Sequence, residues 1–200
     1  MLKSVLKQES GLRTGNLISD AFVFEWQNRP LENKLMIITD GGFTLAPDLN
    51  QKVQLIDNAV KVMHALGNSN PKVAVLSAVE TVNPALQSTI DAAVLTKMNE
   101  RGQIKGCIID GPLALDNAIS PESAEMKGIK SPVAGQADIL LFPDIQSANI
   151  TAKGTTYFSN FRLAHATMGA KAPVLIPSRS DTKDAKLLTI ALNVILSTSL

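Results

Sequence analysis

The sequence is poor in the residues that would tie a fold together covalently or through a metal. It has one cysteine, one tryptophan and one tyrosine in 200 residues. One cysteine excludes an internal disulfide framework and a multi-cysteine zinc site, and it fits a reducing, cytoplasmic setting. The net charge is only +1, so no basic field exists to suit nucleic acid or a membrane surface. Any anion must be held by a few placed side chains. No apolar run approaches the roughly eighteen residues of a membrane span. The opening MLKSVLKQESG is too polar for the apolar core of a signal peptide. GxGxxG, GxxxxGK followed by Ser or Thr, and GxSxG are all missing, which removes the dinucleotide, triphosphate and hydrolase-elbow fingerprints. His64 and His165 lack partners at metal-ligand spacing, so both read as structural and no metal is expected.

What is present is an aliphatic, globular composition, 45% apolar and 18% charged, long enough for one large domain or two small ones. The centre of the chain is the stretch Gly106 to Asp144. It opens on the apolar run Cys107–Ile108–Ile109 and ends on Ile139–Leu140–Leu141–Phe142. Each run meets an acidic residue and a turn former, Asp110-Gly111-Pro112 and Phe142-Pro143-Asp144. Such runs read as buried parallel strands that deliver polar groups at their carboxyl ends, where ligands of open α/β sheets gather.

Around this stretch the chain alternates. Leu2, Val5 and Leu6 suggest the tail of a helix, followed by the loop GLRTGN. Ala21–Trp26 and Lys34–Thr39 are strand candidates with hairpin-like chemistry between them, and this pair could belong to a separate sheet. Asp48 is a plausible N-cap for a helix closed by Gly67. Val73–Leu76 is a strand. Asn83-Pro84 opens a helix to about Asn99. Gly106–Ile109 is a strand, and Ser120-Pro121-Glu122 starts a short helix. A helical pattern then runs from Asp144 to about Met168, weakened at Gly154. Pro173–Ile176 reads as a last strand. Asp181 caps a final helix that carries Leu187, Ile190, Val194 and Ile195. The expected class is α/β, a mainly parallel sheet flanked by helices, forming one α/β unit over residues 1–200 with no sharp internal boundary.

Several positions could carry chemistry. Pro177-Ser178-Arg179-Ser180-Asp181 follows an apolar run and sits on a helix start. Free amides and the helix dipole favour an anion there, and Arg179 adds a planar fork for two phosphate oxygens. Ordinary capping by Ser and Asp is the competing reading. Asp110 could be a base or could tie down the loop after it, and Asp116 is open to the same two readings. Asp40-Gly41-Gly42 would let backbone approach a ligand closely. Arg13 and Thr14 pair a cation with a glycine loop, which could clamp phosphate or simply be solvated. Asn149 and Lys153 lie one turn apart on a helix face and could face a ligand or solvent. Cys107, inside an apolar run with no base nearby, reads as a small buried hydrophobe.

The segments DGPLALDNAI and SPVAGQADILLFPD, with GLRTG, LSAVETVNP and SRSD in the same order, resemble the phosphate acetyl/butyryltransferase family, the butyryl branch in particular. The resemblance implies a two-domain α/β architecture like that of isocitrate and isopropylmalate dehydrogenases. It implies an enzyme, usually dimeric, that moves a short acyl group between coenzyme A and inorganic phosphate with no metal and no cofactor. Coenzyme A is then a substrate, and neither nucleic acid nor membrane is a partner. By the same resemblance Ser178 bonds the reacting carbonyl and Arg179 steadies phosphate or CoA. Asp181 or Asp184 takes the thiol proton. Asp110, Ser131 and Asn149 match family positions that line the cleft, and Gly111, Pro112, Asp116, Gly135 and Lys153, with Arg13 and Thr14, are further substrate-binding candidates. Family chains begin well upstream of this sequence, and Lys3 stands where arginine is expected. The alternative is therefore a shortened, non-catalytic relative that serves as a binding or scaffold module.

Overall fold

The structure, a computed structural model, describes Lys7 and residues 11–198. The helix tail expected at Leu2, Val5 and Leu6, and Lys3 with it, lie outside the described residues. Six strands and six helices follow in chain order: β1 (Ser19–Glu25), β2 (Leu35–Thr39), α1 (Leu49–Ala65), β3 (Lys72–Leu76), α2 (Gln87–Glu100), β4 (Ile108–Leu113), α3 (Leu115–Ile119), α4 (Pro121–Met126), β5 (Ile139–Leu141), α5 (Ile145–Tyr157), β6 (Arg162–Met168) and α6 (Lys183–Ser197).

All six strands share one sheet in the order β4-β3-β5-β2-β1-β6. Four of them, β4, β3, β5 and β2, are mutually parallel. β1 runs antiparallel to both β2 and β6. The first two strands are thus not a separate sheet: their hairpin joins the parallel set directly. β2 and β5 lie in the middle and are covered on both faces, which is why Met36–Ile38 and Ile139–Leu141 are unbroken aliphatic runs, each residue at most 2% exposed. One face packs Ile37, Val73 and Ile139 on Leu55, Ile56 and Leu192. The other packs Phe22, Ile38 and Leu140 on Ala118, Ala148 and Ala185.

α1 starts as the sequence suggests. Asp48 accepts from the Gln51 amide and Gln51 answers in a capping box. Gly67 ends it at φ +91°. Other expectations need correcting. α2 begins at Gln87, not at Pro84; Asn83 instead closes a turn, its side chain accepting from the Ala85 amide. β4 does not stop before Asp110 but runs through Asp110-Gly111-Pro112. Proline is tolerated because β4 is an edge strand. Gly111 is needed because a Cβ there would lie 2.6 Å from the Val75 carbonyl oxygen.

The helix expected to reach Met168 stops at Tyr157. Asn160 turns the chain at φ +53°, and Arg162–Met168 becomes β6, paired with β1 over seven residues. Pro173–Ile176 forms no strand; Val174 makes only an isolated bridge to Thr167. The place beside β6 is partly taken by α6. The His165 N–H donates to Thr189 Oγ1 (3.1 Å), and Asn193 Nδ2 donates to the His165 carbonyl (2.9 Å). The N-cap of α6 is Thr182, not Asp181. The periodic residues Leu187, Ile190 and Val194 face outward, each at least half exposed. Ala185, Thr189, Leu192, Asn193 and Leu196 face the sheet.

Candidate active site

Because β1 runs against its neighbours, its first residues lie beside the last residues of β2 and β6. Asp20 pairs with Thr167, and its amide donates to Asp40 Oδ1 (3.1 Å), just past β2. The Asp40 carboxylate also accepts from the amides of Gly42 (2.9 Å) and Thr44 (2.8 Å). Burial pushes the Asp40 pKa up, and these amides offset part of that rise. The Asp40-Gly41-Gly42 loop therefore brings its backbone close to the protein itself. A Cβ on Gly42 would lie 2.9 Å from Asp20 Cβ, and Asn149 Nδ2 donates to the Gly41 carbonyl (2.9 Å).

The Ser178–Asp181 turn meets this corner from above β6. The Ser178 amide donates to Asp181 Oδ2 (2.7 Å). The Ser178 hydroxyl lies 3.1 Å from that of Ser180. Lys153 Nζ, from α5, donates to Ser178 Oγ (3.3 Å). Thr182 then caps α6 through the Ala185 amide. A cleft of about 380 Å³ opens between α5 and this turn, lined among others by Phe22, Lys153, Tyr157, Ser180, Asp181 and Asp184. Arg179 is exposed and makes no ion pair among the described residues. Asp184 is ion-paired with Arg162 (3.1 Å). A lysine, the Ser180 hydroxyl, the start of a helix and two carboxylates line the cleft, with the Ser178 hydroxyl and the Arg179 guanidinium in the adjoining turn; the donors and the cations are of the type that suits an anion.

Of the residues singled out from the sequence, Lys153, Asp181 and Asp184 line this cleft, and Ser178 lies beside it, bonded to Lys153. Arg179 sits in the same turn, and Asn149 in the adjoining corner. Arg13 and Thr14 lie at the end of β6, where Arg13 bridges to Ala170 and Thr14 Oγ1 donates to the Gly169 carbonyl (2.7 Å). The others are elsewhere. Asp110, Gly111 and Pro112 belong to β4, at the opposite edge of the sheet from β6. Asp116 is ion-paired with Lys127 (3.0 Å), which also reaches Glu80. Ser131 closes its own turn by accepting from the Val133 and Ala134 amides. Gly135 lets the chain pass Pro121, whose Cα would lie 2.5 Å from an added Cβ.

Two residues of the corner have no signal in the sequence, His165, which reads there as structural, and Asp20. Their rings and carboxylates meet only once β1 and β6 pair, and neither stands in a local motif. Among the described residues no group of His, Cys, Asp and Glu could hold a metal ion, and no helix is long and apolar enough to cross a membrane.

Cys107 is buried, and burial, helped by the charge of Asp57, pushes its thiol up to about 11. At pH 8 roughly one part in a thousand is then thiolate, against about a quarter for an ordinary cysteine. Alkylation of Cys107 by iodoacetamide at that pH is expected to be about two-hundredfold slower than that of a free thiol, followed by intact-mass analysis. A rate near that of glutathione would show the thiol accessible and ionised.

Comparisons to known proteins bear on the chain as a whole. The chain is 50% identical over 191 residues to the phosphate butyryltransferase of Clostridium beijerinckii, which covers 96% of this chain and 62% of that protein. It is 46% identical to the phosphate acetyltransferase of Thermotoga maritima, covering 98% and 65%. The crystal structure of a branched-chain phosphotransacylase from Enterococcus faecalis superposes with a TM-score of 0.86 at 31% identity, over 98% of this chain and 69% of the other. The chain thus spans a little under two thirds of the length of these curated relatives. The sequence profile of the phosphate acetyl/butaryl transferases matches residues 1–194; with almost the whole chain matched, the protein belongs to that family.

Proposed function

We propose that this chain moves a short acyl group between coenzyme A and inorganic phosphate, so that acyl-CoA and phosphate give acyl phosphate and free CoA. The observation that carries the reading is Ser178: its amide is held by Asp181, and its hydroxyl oxygen accepts from Lys153. An ammonium only donates. The Ser178 hydroxyl hydrogen is left to donate to Ser180 or to a substrate oxygen.

In the direction of acyl phosphate synthesis a phosphate oxygen attacks the thioester carbonyl, and the carbon–sulfur bond breaks. Negative charge builds on the carbonyl oxygen, where the Ser178 hydroxyl donates. Arg179 holds the phosphate oxygens through its planar fork. In reverse, the CoA thiol must lose its proton as it attacks. We assign that proton to one of the two carboxylates that line the cleft, Asp181 or Asp184. No enzyme nucleophile is required, which accords with the inert setting of Cys107. Under this reading CoA is a substrate and the protein needs no resident cofactor. It works as a cytoplasmic homodimer, with residues 1–200 acting as a single α/β unit. The outward apolar stripe of α6 is the type of surface that such an assembly covers.

The test is thiol release. The purified chain is incubated with butyryl-CoA or acetyl-CoA, with and without phosphate, and free CoA is followed with a chromogenic disulfide. Release that depends on phosphate is the expected result. A rise in melting temperature with CoA is expected alongside it, since a ligand at a hundred times its Kd adds about 2.7 kcal/mol of stability. Neither release nor shift at millimolar CoA would overturn the proposal and favour a scaffold role.

A further inference from the structure

We propose that His165 is a positioning residue for the Ser178–Asp181 turn. Its ring, buried between the carboxylates of Asp20 and Asp181, fixes the carboxylate that in turn holds the Ser178 amide. Its consequence for catalysis rests on the acyl-transfer reading above; the coupling itself does not.

The ring is almost closed off, its side chain only 10% exposed. Nδ1 lies 3.0 Å from Asp20 Oδ2 and Nε2 lies 3.5 Å from Asp181 Oδ2. The Asp181 side chain is only 6% exposed, and the oxygen that faces the ring is the one that accepts from Ser178, at 2.7 Å. Phe22 meets the ring edge-on at a centroid distance of 5.1 Å. A neutral imidazole has one donor and one acceptor nitrogen. Between two carboxylates it would turn a lone pair towards one of them. The imidazolium has a donor for each, so the geometry selects the charged ring. At 3.5 Å the second contact is a charge contact rather than a hydrogen bond, and Nε2 has no other partner.

Other groups bear on that charge. Lys153, on α5, opposes it. Asp40, past β2, lies behind Asp20 and bonds its amide. From α6 come only uncharged groups, Thr189 and Asn193, which bind the His165 backbone. Burial lowers the His165 pKa. The Asp20 hydrogen bond and the charges of Asp20 and Asp181 outweigh it, so the pKa stands above its ordinary 6.5. A raised folded pKa gives stabilisation that is fully present below 6.5 and lost as pH rises through the higher folded value. Above that value Asp181 faces a neutral ring, and the turn loses its anchor.

The test uses the whole chain, labelled for NMR and titrated from roughly pH 5 to 9, the range in which a histidine changes charge. The Ser178 amide resonance is expected to move with the His165 ring and to share its midpoint above 6.5. In His165→Gln that step should vanish while the rest of the spectrum stays dispersed. An amide that is flat through the His165 transition, or that follows His64 instead, overturns the proposal. The wild-type titration decides alone if the variant does not fold. Where wild-type thiol release is present, His165→Gln should lower kcat roughly tenfold to a hundredfold with the KM for CoA little changed, as small misplacements do. An unchanged kcat would remove the catalytic consequence. Absence of wild-type activity would sink the acyl-transfer reading and leave the titration to judge the coupling.

Discussion

Asp138→Ala is expected to destabilise the fold by about 3–5 kcal/mol, the usual cost of leaving one member of a buried ion pair alone. Asp138 sits just before β5 and uses both oxygens. Oδ1 accepts from Arg29 (3.2 Å) and Asn33 (3.2 Å), and Oδ2 accepts from Asn68 (3.1 Å) and the Lys72 amide (3.0 Å). The Arg29 side chain is only 1% exposed. Burial already pushes its pKa down, and the Asp138 charge works against that. Without the carboxylate, a guanidinium that stays charged remains inside with only carbonyl partners. Asp138→Asn should recover part of the loss, because it keeps one acceptor but turns a new donor towards existing donors. Urea unfolding checks this: the midpoint should fall while the slope is unchanged. A loss under 1 kcal/mol for the alanine variant would show that Arg29 is satisfied by backbone alone.

Ser178→Ala is expected to lower kcat for thiol release by about 10²–10³, the effect of removing one donor from a developing oxyanion. Alanine keeps the backbone N–H, and hence the bond to Asp181 that shapes the turn. Stability and the CoA-induced thermal shift should therefore be retained. Ser180→Ala removes the neighbouring hydroxyl and should cost far less if Ser178 is the group that donates to the carbonyl. Equal losses from the two variants would mean that the pair acts only as a hydrogen-bonded brace. A KM that rises with kcat unchanged would place Ser178 in ground-state binding instead.

The middle of the sheet was legible because burial on both faces demands unbroken aliphatic runs, and Lys34–Thr39 and Ile139–Phe142 contain them. β6 was not, because Arg162–Met168 has no flanking proline and mixes small and polar residues; it follows a helix of similar hydropathy, and only the pairing with β1 decides its shape. α6 is legible as a helix, but its inward face is not, since that face includes Thr189 and Asn193 while Leu187, Ile190 and Val194 point out. At the site, Ser178 and Arg179 could be read from turn chemistry at a helix start. Lys153 could be read from its spacing to Asn149. The end of β4 is not legible either, since Asp110-Gly111-Pro112 reads as a turn but continues the strand. Asp20 and His165 had no local signature. Their partnership spans 145 residues and depends on one strand running against its neighbours.

The bonds from Thr189 and Asn193 to the edge strand also limit how α6 can move. A helix laid on a sheet by hydrocarbon alone has several nearly equal resting places, a turn apart. This one is keyed in mid-length to the peptide groups of a single residue, His165. Sliding it would strand a buried hydroxyl and a buried amide at once. Its first turn, with the serine and arginine just ahead of it, therefore has one address relative to the strand ends, and a substrate does not have to select that arrangement from among others.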